Sequence, residues 1–104
     1  MTKPNNAALR ISHGSHSATG PKPRNEDAFS IVTPSDASLH TKGMLFLLAD
    51  GVSGSDDGQL AAQLATRNIS GDYYATPDTW EIPMALDKVM SACNRWLLGQ
   101  KSND

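Results

Sequence analysis

The stretch that decides the fold reads Met44-Leu45-Phe46-Leu47-Leu48-Ala49-Asp50-Gly51-Val52-Ser53-Gly54. Its apolar part has the length of a strand, and a glycine stands at each end of it. A continuous apolar run of this kind predicts a strand that is buried on both faces. Asp50 ends the strand, where a rigid backbone holds a carboxylate at the edge of the core. Such positions present metal ligands and catalytic acids, so Asp50 is the first candidate site residue.

The composition predicts one small domain, although an apolar fraction of 38% is low for a self-sufficient core in 104 residues. The net charge of -2 gives no reason to expect a nucleic-acid partner. A single cysteine, Cys93, excludes an internal disulfide and fits a reducing compartment. No stretch is long enough to cross a bilayer, and residues 1–6 lack the apolar segment of a signal peptide. We therefore expect a cytoplasmic protein with no membrane segment in this chain.

The first part of the chain predicts two strands ahead of the central one. Residues 1–7 predict a disordered polar leader, and alternation over residues 8–14 predicts a half-buried strand. A second strand is predicted near residues 27–33, with Phe29 and Ile31 pointing into the core. The polar residues 34–42 predict a turn into the central strand.

Two helices follow. Apolar residues recur at helical spacing at Leu60, Ala61, Leu64 and Ala65. This helix is predicted to end near residues 68–71, and the acids Asp56 and Asp57 at its start suit either capping or metal binding. The second helix is predicted over residues 83–98. Its apolar stripe comprises Leu86, Val89, Met90, Cys93, Trp96 and Leu97. Cys93 is therefore predicted to be a packed thiol rather than a nucleophile.

The order of strands followed by helices predicts an α+β fold with an antiparallel sheet and its helices on one face. Two helices cannot cover both faces of a sheet, so we expect one apolar face to be left uncovered. Neighbouring antiparallel strands would bring Asp27 and Asp50 within reach of one ion. Carboxylates and carbonyls suit Mg²⁺ or Mn²⁺, and Gly51 has no side chain to hinder its own carbonyl. An ordinary Asp-Gly turn is the alternative interpretation. The spacings of His13, His16 and His40 do not fit a zinc site.

The motif pattern as a whole resembles a known family. Residues 20–29 read Gly-Pro-Lys-Pro-Arg-Asn-Glu-Asp-Ala-Phe, and the apolar strand then leads into Ala-Asp-Gly-Val-Ser-Gly over residues 49–54. This pair of motifs resembles the start of the metal-dependent serine/threonine protein phosphatases, the type 2C family. Residues 72–80 and 94–97 look like its bacterial branch, in which a protein kinase domain follows the phosphatase domain.

The resemblance implies an antiparallel β-sandwich flanked by helices, of which residues 8–104 would be the truncated N-terminal portion of a four-layer α-β-β-α fold. It implies two ions of Mg²⁺ or Mn²⁺ bridged by Asp50, with Asp27 and the Gly51 carbonyl on the second ion and Glu26 beside them. A metal-bound water would attack the phosphorus of a phosphoserine or phosphothreonine protein substrate, with no covalent nucleophile. Lys22 occupies the family's phosphate-binding position, and Arg24 is a nearby substitute.

Three readings stay open at this stage. The first is a phosphatase that acts as part of a longer chain, with a kinase domain on that chain as a candidate partner. In this reading the isolated chain is inactive, because the family's later metal-binding aspartates are missing from it. The second is a non-catalytic phosphatase-like remnant or protein-interaction module, which lysine in place of arginine at position 22 favours. The third is an unrelated small α+β binding domain.

Overall fold

The computed structural model describes residues 11–18, 20, 27–51 and 56–102, and for Asp56, Lys101 and Ser102 the backbone alone. In chain order the elements are β1 (Asp27–Val32), α1 (Ser38–Thr41), β2 (Leu45–Asp50), α2 (Asp56–Ala75) and α3 (Ile82–Ser102). The strands form a two-stranded antiparallel sheet. The predicted α+β class is thus confirmed. In the part of the chain that is described, no helix is long and apolar enough to span a membrane.

The register of the β1–β2 hairpin sorts its side chains onto two faces. The cross-strand pairs are Asp27↔Asp50, Ala28↔Ala49, Phe29↔Leu48, Ser30↔Leu47, Ile31↔Phe46 and Val32↔Leu45. Because side chains alternate along a strand, every second pair lies on the same face. The inner face, which meets the helices, comprises Ala28, Ser30, Val32, Leu45, Leu47 and Ala49. The outer face comprises Asp27, Phe29, Ile31, Phe46, Leu48 and Asp50.

The core lies between the inner face and the two long helices. Leu45, Tyr73 and Ala85 form its buried centre. The side chains packed around this centre are Val32, Leu47, Tyr74, Trp80 and Leu86. The helices are therefore on one face of the sheet, as predicted from the order of the elements.

Neither long helix covers the outer face, although residues 13–18 lie along part of it. Phe29 is 44% exposed and Leu48 is 78% exposed. The prediction that Phe29 and Ile31 point into the core is therefore wrong, and so is the prediction that the central strand is buried on both faces. The reason is that α2 lies against the inner face and α3 packs against α2. The expectation that two helices cover only one face of the sheet is confirmed for the described residues, and the apolar side chains of the other face are left largely exposed.

The helix α3 packs through a narrower stripe than predicted. Val89 and Cys93 are buried, which confirms the packed thiol, whereas Met90 and Trp96 are largely exposed. The helix α3 packs against α2, and a single neighbouring helix contacts only the centre of a wide apolar stripe. The outer members of the predicted stripe are left in solvent for this reason.

Several boundaries differ from those predicted. The helix α2 continues through Gly71 to Ala75, because burial of Tyr73 outweighs the low helix propensity of glycine. The short helix α1 lies inside the predicted turn, where a side-chain oxygen of Asp36 accepts a hydrogen bond from the backbone N–H of Ser38 at 2.9 Å. Residues 11–14 are exposed and form no strand. The rest of that predicted strand and the leader lie outside the described residues.

A cluster of polar contacts, here called the clasp, joins the residues before β2 to the end of α2. The Tyr73 hydroxyl donates to the Lys42 carbonyl at 2.6 Å, and the Tyr74 hydroxyl donates to the Gly43 carbonyl at 2.9 Å. The Lys42 ammonium donates to Thr76 Oγ1 at 2.7 Å and lies 3.6 Å from the Asp78 carboxylate. Lys42 is only 6% exposed, so its charge is compensated inside the protein. Gly43 has φ +75°, a backbone conformation that favours glycine.

Candidate functional site

Two carboxylates stand opposite each other where the hairpin opens. Asp27 begins β1, Asp50 ends β2, and the two are direct register partners on the outer face. Directly opposed side chains in an antiparallel pair have Cβ atoms about 4.5–5.5 Å apart. Both residues are exposed. The structure therefore brings together the two acids that the sequence analysis singled out.

Two opposed carboxylates are chemically suitable ligands for a cation. A divalent ion between two like charges on neighbouring strands would offset their repulsion. Oxygen ligands of this kind suit Mg²⁺ or Mn²⁺. Gly51 follows Asp50 and is half-buried, so its backbone lies next to the pair.

The oxygen atoms of Asp27, Asp50 and Gly51 are of the chemical kind that a hard divalent ion prefers, but they are too few to complete its coordination. Among the residues whose side chains are described, no group of three or more His, Cys, Asp or Glu residues is placed to hold a metal. Mg²⁺ takes six oxygen ligands, several of which are commonly water. The pair alone is thus part of a site, and further ligands have to come from water or from residues outside this set.

The remaining predicted site residues are not brought together by the described structure. Lys22, Arg24 and Glu26 lie outside the described residues. Asp57 lies in the first turn of α2, where a carboxylate stabilises the helix dipole. This position agrees with the capping interpretation of that acid.

The histidines have other surroundings. The His13 ring meets the Phe46 ring edge-on, with the centroids 5.6 Å apart. His16 and His40 are exposed, in residues 11–18 and in α1 respectively.

Asp27 lies at the meeting point of two grooves. The first, of about 580 Å³, lies between residues 14–18 and the outer face. The second, here called the β1 groove, has a volume of about 510 Å³ and lies between β1 and α2. Its lining residues are Ser17, Asp27, Ala28, Phe29, Ser30, Gln63, Thr66, Arg67 and Ser70.

The β1 groove contains a cation that the sequence analysis missed. Arg67 is exposed on α2 and shares the groove with Asp27, forty positions earlier in the chain. The only sequence signal is that Gln63, Arg67 and Ser70 recur at helical spacing and form one polar stripe. Nothing in that spacing indicates that the stripe faces β1.

Comparison with known proteins found no match to this chain. No protein-family model matches the chain, and neither a curated protein nor a solved structure is significantly similar to it.

Proposed function

We propose that Asp27 and Asp50 bind Mg²⁺ or Mn²⁺ in a metal-dependent protein phosphatase of the type 2C kind. The observation that carries the proposal is the direct cross-strand pairing of these two carboxylates at the open end of the hairpin. The motif resemblance named the same two residues. Their pairing in the register supports the proposal independently of the motif, because a one-residue shift would have placed the two acids on opposite faces.

In this proposal the chain's own residues have separate tasks. Asp50, Asp27 and the Gly51 carbonyl would hold the divalent ions, and Glu26 would support them. Such ions polarise a phosphoryl group and supply a nucleophilic water at neutral pH. No serine or cysteine of the chain serves as a nucleophile.

In this proposal the phosphate of the substrate is bound by a basic residue that precedes β1 in the sequence. Lys22 carries the charge that would neutralise a phosphoserine or phosphothreonine, and Arg24 is the alternative. The proposed partner is a phosphorylated protein substrate. The resemblance further suggests a kinase domain on the same full-length chain, and we include that domain in the proposal. A cytoplasmic location belongs to the same proposal.

The four-layer fold is also proposed rather than described. Exposed Phe29, Phe46 and Leu48 give the outer face an apolar surface that a second sheet would bury. In a β-sandwich this face would become the centre of the core.

The rival candidate is a phosphatase-like module that binds a protein without catalysis. Its support is that the described side chains bring two acids together and no third. The two candidates differ in metal dependence: a phosphatase centre requires Mn²⁺ to bind a phosphopeptide, whereas a protein-binding module does not.

The test is calorimetric titration of the purified chain with Mn²⁺. We expect measurable binding in the wild type and none in Asp50→Asn, since the bridging charge is lost. Asp87→Asn on α3 is the matched control and should bind as the wild type does, because Asp87 is exposed and lies outside both grooves. Unchanged Mn²⁺ binding in Asp50→Asn would refute the metal site.

A second measurement separates the two candidates. We expect Mn²⁺ to strengthen binding of a phosphothreonine peptide in the wild type and not in Asp50→Asn. We also expect the isolated chain to show no phosphatase turnover above that of Asp50→Asn, because so few ligands do not hold an activating ion in a defined position. Peptide binding that is equal with and without Mn²⁺ would favour the protein-binding module.

A further inference from the structure

We draw no further inference here: the strongest candidate, the apolar outer face of the hairpin with its exposed Phe29, Phe46 and Leu48 and the groove beside residues 14–18, carries nothing because no contact in the described part of the chain shows what covers the rest of that face.

Discussion

Replacing Tyr73 by phenylalanine tests the clasp most directly. Tyr73 is 2% exposed, and its hydroxyl donates to the Lys42 carbonyl at 2.6 Å. The substitution keeps the ring in the core and removes this donor from a buried carbonyl. Loss of one partner of a buried hydrogen bond costs about 1–3 kcal/mol. A chain of this size has a total stability on the order of 5–15 kcal/mol, so the loss is a substantial fraction of it.

The assay is thermal and urea unfolding followed by circular dichroism. Each kcal/mol lost should lower Tm by about 4–8 °C in a domain of this length. Tyr74→Phe is the matched control, because its hydroxyl makes the equivalent bond to Gly43 in a partly exposed position, where water can replace it. We expect Tyr74→Phe to lower the free energy of unfolding by about 0.5–1.5 kcal/mol. A Tyr73→Phe protein as stable as the wild type, or less affected than Tyr74→Phe, would refute the reasoning.

Three further predictions concern ionisation. Burial raises the pKa of Tyr73 and Tyr74 above the usual 10.0. The stability that the two neutral hydroxyls contribute is therefore complete below pH 10 and is lost as pH rises through the raised pKa values. Tyrosinate absorbance during an alkaline titration would check both raised pKa values. Burial also raises the pKa of the Cys93 thiol, so a thiol reagent should react slowly until denaturant is added, and rapid reaction of the native chain would contradict it. Hydrogen bonds from Ser38 lower the pKa of Asp36 below the usual 3.8, so the Asp36 carboxylate stabilises the start of α1 above that pH. Asp36→Ala should therefore speed hydrogen exchange of the backbone amides in α1. In the wild type, faster exchange of these amides should appear only as pH falls below 3.8.

The central strand and the acid at its end were predictable because local chemistry determines them. Continuous apolar residues bounded by glycines define β2, and antiparallel neighbours are the rule for strands joined without a long crossover helix. The pairing of Asp27 with Asp50 then follows from the positions of these acids at the start of one strand and the end of the other.

The inward face of β1 was not predictable from the pattern. Phe29 and Ile31 are the larger apolar residues, yet Ala28 and Ser30 face the helices. Part of the space on that side is filled by Tyr73 from α2. Which residues fill the core depends on elements more than thirty positions away, and periodicity within one strand does not contain that information.

The same limit applies to α2 and to the β1 groove. Gly71 suggested a helix end, but tertiary contacts of Tyr73 carry the helix past it. Arg67 was not singled out from the sequence, because its place in the same groove as Asp27 depends on the packing of α2 against the sheet.

The clasp has a consequence for the order of folding. The strands of the hairpin are separated by residues 33–44, a connection of twelve residues, which is too long to set the strand register by its own turn geometry. Tyr73 and Tyr74 instead bind two successive carbonyls just ahead of β2, and thereby fix where that strand begins. We therefore expect the end of α2 to belong to the folding nucleus, so that substitutions in the clasp slow folding more than they accelerate unfolding.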